Sequence, residues 1–431
     1  MRKRMILALA VVLGLVLALY APLAPVVAEE DVVVINFPSF QVGVNTAAPV
    51  LARNVERFNE EYAGKYEIVV EEIPGDQNYI EKMQHMLSQD DLPPVVYGGG
   101  YNLLDPALDR DLVVDLTEHV EADPDWQALY NDASMNVNSR DGKIYASSSE
   151  GNVIGYFYNK EIFEEAGIEG PAETWDELWE QADILVEHGV QPFAMDTADS
   201  AWVTSLWLGA MVGSASEEAY EWMQVMMPND YQFPEFIDGL TNIQKMFVNY
   251  STVDAVGGKY ENAANNFING QVAMMANGPW MINDFSDESF APEGFADKVG
   301  VALYPDNFVY NEPIQGMFVT KQDDPRLEEA AIEMVRFFTS AESQTIALEM
   351  QGMIPAGASV EITEAAEESF PLLAEFIALL PEAEFNSANL QATMYPNLLD
   401  VVSQEFPRLA QEEITPEEMA EILTTEAMKN E

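Results

Sequence analysis

The sequence predicts an α/β protein with two lobes, each built on strands that alternate with helices. Short apolar segments typical of buried strands alternate with amphipathic segments of helical period in the first hundred residues. The chain has 431 residues, which exceeds the size of one ordinary hydrophobic core. Apolar residues make up 48% of the chain, so a globular protein is expected instead of a disordered acidic one.

Five segments make up the first part of this pattern. An apolar run over 31–37 predicts a strand, and 49–64 predicts a helix whose apolar face stops at a glycine. A second strand over 66–73 and a second helix over 77–89 repeat the pair. The third strand, 93–97, leads into a run of three glycines. Because strands alternate with helices, the strands are expected to pair in parallel.

The alternation continues in the rest of the chain. Thr174 and Glu177 precede an apolar stripe with the spacing of a capping box, so a helix is expected to begin there and run to Gly189. No long glycine- or serine-rich linker is present, so short strands are expected to connect the lobes. The remaining predicted elements are strands over 144–148, 299–304 and 314–320, a helix over 235–250, two helices within 325–352, and a helical end from Glu361.

The amino-terminal segment, 1–28, has the features of a signal peptide. Three basic residues at 2–4 precede an uncharged apolar run over 5–20. Two glutamates directly follow Ala28, so cleavage is expected after Ala28. An uncleaved anchor helix is the alternative, but the apolar run is shorter than the ~20 residues of a membrane span. Since the chain has no cysteine for lipid attachment, a freely diffusing periplasmic or extracellular protein is expected.

The chain is strongly acidic. It contains 19 Lys and Arg against 74 Asp and Glu, a formal net charge of −55 that becomes −58 without the three basic residues of the signal. Such a surface repels nucleic acid and anionic lipid, so neither is an expected partner. The acids are spread along the chain, which favours a solvated shell suited to salty or alkaline surroundings over a polycation or metal buffer.

This charge predicts that salt stabilises the protein. Repulsion among exposed carboxylates is screened as ionic strength rises, because the Debye length falls from about 10 Å at 0.1 M to about 3 Å at 1 M. The melting temperature measured by scanning calorimetry should therefore rise when sodium chloride is added. A melting temperature that does not respond to salt would contradict this interpretation.

Motifs for catalysis and for metal or phosphate binding are weak or missing in the sequence. The histidines at 85, 119 and 188 are far apart and lack metal-ligand spacing. The glycines at 98–100 follow a strand, but no P-loop lysine accompanies them. No catalytic residue, metal or cofactor is therefore predicted. With 74 acidic residues, some carboxylate pair will have glycosidase spacing by chance, so a secreted glycoside hydrolase remains an alternative.

Five segments form an ordered set of motifs. FINGQVAMMANGPW at 267–280 joins a helix end, a glycine turn and an Ala-Met strand to a closing Gly-x-Trp. YNKEIFEEAG at 158–167 and TWDE at 174–177 have the form of a strand exit and a helix start. DGKIY at 141–145 and MIPA at 353–356 complete the set. In this order the segments resemble the extracellular solute-binding proteins of sugar ABC transporters, the family that includes maltose-binding protein.

The resemblance implies a type II periplasmic-binding fold, in which two α/β lobes enclose a ligand cleft at the hinge. A ligand between the lobes would stabilise the closed form, because only that form contacts it from both sides. The implied partners are a sugar and the permease subunits of an ABC importer, with a monomeric receptor and no cofactor. The implied amino-terminal lobe is 29–147 with 304–340, the carboxyl-terminal lobe is 148–303 with 341–431, and the hinges are near 147–149 and 304–305.

Five residues are candidates for holding a sugar, which offers an apolar ring face and hydroxyl groups. Trp280 follows a Gly-Pro turn where the family places a stacking aromatic, and Trp202 lies in a polar loop that matches a second platform region. Tyr97 ends the third strand, where such sheets bind ligands. Glu150 follows the first implied hinge and has a carboxylate that can accept hydroxyl groups. Phe37 ends the first strand, where the family often has tryptophan or a polar group.

The scarcity of basic side chains near the proposed site indicates the type of ligand. Few Arg or Lys residues lie near the proposed strand ends, so a phosphate or carboxylate ligand would lack its usual clamp. A neutral mono- or oligosaccharide is therefore predicted over a sugar phosphate or an acidic sugar. A polyamine or another cation is the alternative that keeps the fold, since tryptophans also hold cations. For each candidate aromatic residue, packing in a lobe core is the structural alternative.

Overall fold

The structure is a computed structural model that describes residues 31–99, 101, 103–130, 132–357 and 359–430. The predicted signal peptide and its cleavage position after Ala28 lie outside these residues, as does the third glycine of the run at 98–100. Throughout the described part of the chain, every helix is too short or too polar to cross a membrane.

Strands and helices alternate through most of the chain, as predicted. The strands are β1 Val33–Ser39, β2 Tyr66–Glu72, β3 Val95–Gly99, β4 Ser139–Arg140, β5 Lys143–Ile144, β6 Ala146–Ser147, β7 Gly151–Asn159, β8 Gln191–Phe193, β9 Val272–Asn277, β10 Val299–Ala302, β11 Phe308–Pro313, β12 Gln315–Val319 and β13 Phe385–Ser387. The helices are α1 Ala48–Glu61, α2 Asp76–Ser88, α3 Leu104–Asp109, α4 Thr117–Ala122, α5 Pro124–Gln127, α6 Asp132–Asn138, α7 Lys160–Ala166, α8 Trp175–His188, α9 Trp202–Gly213, α10 Glu217–Met223, α11 Pro234–Asn249, α12 Tyr260–Ile268, α13 Phe295–Lys298, α14 Pro325–Phe338, α15 Ala341–Gln351, α16 Glu364–Ser369, α17 Pro371–Leu379, α18 Leu390–Thr393, α19 Asn397–Ala410 and α20 Pro416–Ala427. Short 3₁₀ helices cover Val253–Ala255, Pro279–Phe285, Pro305–Asn307, Leu380–Glu382 and Met428–Asn430.

Buried apolar side chains divide the molecule into two regions, which we name lobe 1 and lobe 2. The core of lobe 1 is drawn from residues 35–146 and 317–338. The core of lobe 2 is drawn from residues 153–310 and 348–427. Because each region buries its own apolar residues, each has the core that a separate domain needs.

Lobe 1 contains three small sheets, and two of them share helix α14, while β4 and β5 form the third. Strands β1 and β2 pair in parallel, as the alternation of strands and helices predicted. Strand β12 lies between β3 and β6 and is antiparallel to both. Helix α14 packs against β1 and β12, and its Phe338 meets Phe37 of β1 edge to face, with ring centroids 6.3 Å apart. The helix therefore joins the two sheets into one lobe.

Lobe 2 contains a six-stranded sheet in the order β13-β11-β7-β9-β8, with β10 also paired to β7. The long strand β7 is antiparallel to β9, β10 and β11, while the pairs β8–β9 and β11–β13 are parallel. The sheet is thus mixed, so the expectation of parallel pairing is wrong for this lobe, as it is for β3, β6 and β12 in lobe 1. Nearly every residue of α9 is buried, which agrees with a helix that is apolar on all sides.

The chain passes between the lobes three times, and the first two crossings are short segments that lie side by side. The first runs from Ser148 to Glu150, close to the expected hinge at 147–149, and the second is Ile314. Ser148 Oγ donates to Ile314 O at 2.5 Å, and Ile314 N donates to Glu150 O at 3.3 Å. The expected crossing at 304–305 is wrong, because the chain turns back there and forms β11, which pairs with β7.

Helix α15 lies where the lobes meet. Arg57 of α1 in lobe 1 forms an ion pair with Glu342, with Nη2 and Oε1 2.7 Å apart. Leu348, on the same helix, belongs to the core of lobe 2. The helix was expected to belong to the carboxyl-terminal lobe alone, and instead it contacts both.

Candidate functional site

Several strands end at the edges from which the crossing segments leave. In lobe 2, β7 begins and β9 and β11 end at one edge, because Gly155 pairs with Asn277 and Gly151 pairs with Pro313. Strand β8 is parallel to β9 and ends there too. In lobe 1, β3 ends beside the start of β12. The side chains that follow these strand ends are therefore the ones able to build a site between the lobes.

Trp202 and Trp280 lie together in lobe 2. Their ring centroids are 6.1 Å apart, their ring planes make an angle of 53°, and both residues are half-buried. Trp202 is the first residue of α9, and Trp280 is the second residue of the 3₁₀ helix that follows β9. Two apolar rings that remain partly open to solvent provide the surface that stacking against a sugar ring requires.

Neighbouring residues fix the orientation of Trp280. A Cβ atom at Gly278 would lie 2.3 Å from the Trp280 ring, so a glycine is needed for the ring to lie against this turn. Asn277 Nδ2 donates to Tyr260 Oη at 2.8 Å, and Asn277 Oδ1 accepts from Gly278 N at 3.0 Å. Because Asn277 is fully buried, the turn is rigidly held before any ligand arrives.

Tyr97 and Glu150 form a second pair, at the crossing segment. Tyr97 Oη donates to Glu150 Oε1 at 2.5 Å. Burial raises the pKa of Glu150, although the hydrogen bond from Tyr97 opposes the shift. Burial, together with the Glu150 carboxylate, raises the pKa of Tyr97, so its hydroxyl stays protonated and acts as the donor. This pair presents a carboxyl oxygen beside a phenol at the boundary between the lobes.

A cavity of about 40 Å³ lies beside this pair. Phe37, Tyr97 and Glu150 line it, together with Ser149 of the crossing segment and Met353 after α15. Pockets that hold small molecules usually measure about 300–1,000 Å³, so this space is too small for a sugar ring in the present conformation. Phe37 itself is only 1% exposed and packs in the core of lobe 1.

Asp196, which sequence reasoning missed, lies near the aromatic pair. It follows β8 and is only 1% exposed. Its Oδ1 accepts from Thr204 N at 3.1 Å, which places the carboxylate at the N-terminus of the helix that Trp202 begins. Its Oδ2 has no hydrogen-bond partner among the described residues. Burial raises the pKa of Asp196 to about 7, against the opposing hydrogen bonds at the helix N-terminus.

Asp284 is a further acidic residue beside the pair. It lies four residues after Trp280 on the same 3₁₀ helix and is half-buried. Burial, assisted by the negative charge of Asp287, raises the pKa of Asp284 to about 6. Both Asp284 and Asp196 contribute to the raised pKa of the Tyr260 hydroxyl, although burial is the main cause. The two carboxylates therefore lie near one hydroxyl group at the edge of lobe 2.

The five predicted site residues fall into two groups. Trp202 and Trp280 form the aromatic pair of lobe 2, while Tyr97, Glu150 and Phe37 line the cavity near the crossing segments. Contact of any of them with a ligand remains a prediction. Within the described residues, no cluster of three or more histidine or acidic side chains is arranged to hold a metal ion.

The fold and this site define a class of protein. Two lobes with separate cores, connected by short adjacent segments and bearing aromatic residues at strand ends, form the type II periplasmic-binding fold of ligand-binding receptors. The model of the bacterial extracellular solute-binding protein family matches residues 54–370, which is most of the chain. The protein therefore belongs to this family of bacterial extracellular solute-binding proteins.

Curated relatives agree with this class. Putative binding proteins of Brucella abortus (strain 2308) and Brucella suis biovar 1 (strain 1330) are each 23% identical over 267 residues, 61% of this chain. The aligned region spans 62% of the length of these relatives. Both are described as binding proteins and neither as an enzyme.

Solved structures share the fold over nearly the whole chain. A chitin oligosaccharide binding protein matches with a TM-score of 0.81 and 20% identity, covering 93% of this chain and 99% of its own. A Streptococcus pneumoniae solute-binding protein in complex with the blood group A-trisaccharide matches with a TM-score of 0.77 and 19% identity, over 91% and 98% of the two chains. Maltose-bound MalE3 of T. maritima has a TM-score of 0.73 and 19% identity, over 93% and 100%. At this identity the likeness establishes the fold.

Proposed function

We propose that this protein is an exported receptor that binds a mono- or oligosaccharide between its lobes and delivers it to an ABC importer. Family membership supports a solute-binding role, and the three solved neighbours above carry sugars in their descriptions. The Trp202–Trp280 pair is the single observation that carries the sugar ligand. Its two half-buried rings form an apolar platform at the edge of lobe 2.

Stacking and hydrogen bonding have separate places in the proposed complex. The apolar face of a sugar ring packs on Trp280 and Trp202, which lobe 2 holds in fixed orientations. Glu150 accepts sugar hydroxyls, and Tyr97 shares them, from the crossing segment. Phe37 supplies the apolar floor of lobe 1 at this point. The sugar carries no negative charge in this proposal, because the carboxylates of the site would repel an acidic sugar.

Binding in this proposal requires the lobes to move. The cavity of about 40 Å³ beside Tyr97 and Glu150 leaves no room for a ring, so a sugar reaches these two residues only when the lobes separate and then close on it. Lobe 1 would comprise residues up to 147 with 315–340, and lobe 2 would comprise 151–313 with the chain after α15. The crossing segments at 148–150 and 314 would bend at this motion. Because they are hydrogen-bonded to each other, they would bend together.

Isothermal titration calorimetry with a panel of neutral, basic and acidic oligosaccharides tests the proposed function. At least one sugar without negative charge should bind with a Kd of about 1 µM or tighter, corresponding to roughly −8 kcal/mol. Binding of uronates alone, or of no glycan, would refute the proposal. Chromogenic glycosides added to the same protein provide the control for catalysis. Turnover that disappears when one acidic residue is replaced would identify a glycoside hydrolase instead.

A further inference from the structure

Three carboxylates at the candidate site have no protein cation to neutralise them. They are Glu150, Asp196 and Asp284, and none of the ion pairs formed among the described residues includes any of them. Lys259, which directly precedes Tyr260, is paired with the exposed Asp199, with Nζ and Oδ1 3.1 Å apart. The charge of Lys259 is therefore already paired at the surface and does not neutralise the three carboxylates.

A buried carboxylate in this protein indicates a compensating ligand more specifically than the many exposed carboxylates do. An acid on the surface of this chain is hydrated and costs little, so its presence indicates only a solvated shell. A carboxylate removed from water costs several kcal/mol unless a cation or sufficient donors compensate it. Asp196 is 1% exposed with one oxygen unpartnered among the described residues, and Glu150 is 7% exposed. These residues are therefore unfavourable in the empty protein.

The two carboxylates of lobe 2 belong to the same elements as the aromatic pair. Asp196 is hydrogen-bonded to the N-terminal turn of α9, where Trp202 begins. Asp284 lies four residues after Trp280 on the same 3₁₀ helix. Both act on the hydroxyl of Tyr260, which Asn277 fixes next to the turn that carries Trp280. A group stacked on the two rings would therefore lie on the elements that hold both carboxylates.

We propose that the sugar ring held by Trp202 and Trp280 carries a protonated amine, as in a glucosamine unit, whose ammonium group is neutralised by Asp196 and Asp284. This inference rests on the proposed function and narrows the ligand to a basic sugar. When the lobes close, a neutral sugar removes the remaining water from the carboxylates and leaves their charge uncompensated. An ammonium group offsets this cost, and the faces of the two indoles also attract it.

Two trisaccharides of equal length and linkage test the inference. The β-1,4-linked trimer of glucosamine carries amines, and the corresponding trimer of N-acetylglucosamine carries none. Calorimetry at pH 7 and low salt should show the glucosamine trimer binding at least about tenfold more tightly. The preference should shrink as sodium chloride is added, because the attraction is electrostatic.

Single substitutions test which carboxylates cause the preference for the glucosamine trimer. Asp196→Asn and Asp284→Asn should each lower the preference for the glucosamine trimer by about fivefold or more, with little effect on the N-acetyl trimer. Asp297→Asn is the matched control, since it removes the same charge from an exposed position elsewhere in lobe 2. The preference should be unchanged in this control. Circular dichroism spectra confirm that each variant is folded.

The outcomes separate this inference from the proposed function. Equal or tighter binding of the N-acetyl trimer would overturn the basic sugar and leave the sugar receptor standing. Failure of every glycan would overturn the proposed function itself. Spermidine, included as a cation without a ring, should bind more weakly than the glucosamine trimer. Tighter binding of spermidine would overturn the inference in favour of a polyamine receptor.

Discussion

Replacing Asp196 with asparagine is expected to stabilise the empty protein, and the gain should grow as the pH rises from 5 to 8. Burial raises the pKa of Asp196 to about 7 in the folded protein, while an unfolded aspartate has a pKa of about 3.9. Asparagine has the shape of the protonated carboxyl and keeps an oxygen that can accept from Thr204 N, so this hydrogen bond at the helix N-terminus is retained.

The direction follows from proton binding in the two states. Below pH 4 the Asp196 carboxyl is protonated in both states, so its ionisation contributes nothing. Between pH 4 and pH 7 the unfolded chain has lost this proton while the folded protein retains it, so stability falls as the pH rises. Above pH 7 the folded protein holds a buried charge, and the full cost, on the order of 4 kcal/mol, is reached. Asparagine removes this cost.

Urea unfolding followed by tryptophan fluorescence at pH 5, 6, 7 and 8 measures the effect. The free energy of unfolding of Asp196→Asn minus that of the parent should be smallest at pH 5 and largest at pH 8. Asp287→Asn is the control, because hydrogen bonds from Ser289 lower the pKa of Asp287 and its loss brings no comparable gain. A difference that does not change with pH would show that Asp196 is not a strained buried acid.

The same substitution ties stability to ligand choice. Asp196→Asn is expected to make the empty receptor more stable and, under the basic-sugar inference, less able to prefer an amine. Groups that are unfavourable in a free protein and compensated by a ligand are common at binding sites. If Asp196→Asn both raises the stability and lowers the preference for an amine, the unfavourable burial of Asp196 in the empty protein is the source of the receptor's selectivity.

The order of elements could be predicted well where local pattern decides it. The helix expected over 49–64 is α1, and the two helices expected within 325–352 are α14 and α15. Thr174 caps α8 as predicted. Glu177 instead accepts from Glu173 N at 2.9 Å, so the reciprocal bond of the capping box is made one residue earlier. Such a detail depends on the path of the incoming chain and is absent from the spacing.

Strands that depend on distant partners could not be predicted in the same way. The segment that forms β11 contains asparagine, glutamate and proline, and its pairing with β7 is set more than 150 positions along the chain. The resemblance therefore implied a crossing at 304–305, while the chain in fact returns to the sheet of lobe 2. Similarly, the sequence alone gives no signal that β13 lies beside β11.

Some residues of the candidate site could likewise be predicted from local sequence patterns, and others could not. Trp280 and Trp202 could be found because a Gly-Pro turn and a polar loop mark them locally, and the structure places them together. Asp196 is one of 74 acidic residues, and only its burial at a helix N-terminus distinguishes it. Asn277 directly precedes Gly278, so its place in the turn was a signal that could have been used. Tyr260 had no such mark.

Replacing Trp280 with alanine is expected to weaken binding of the tightest sugar in the panel by one to two powers of ten. Removing about 100 Å² of apolar ring contact costs roughly 2.5 kcal/mol, which corresponds to this loss of affinity. Trp280→Phe should recover part of the affinity, because phenylalanine keeps a smaller flat face. Calorimetry gives the affinity, and urea unfolding of the same samples gives the stability.

Trp222→Phe provides the matched control for Trp280. Trp222 is another half-buried tryptophan of lobe 2, and its ring packs against Tyr231, Phe233 and Phe236. Its replacement should lower the stability and leave the affinity unchanged, because its contacts lie within the lobe. If Trp280→Ala behaves in the same way, Trp280 is a core residue that shields Tyr260 and Asn277, and the aromatic platform has to be sought among the residues around Tyr97.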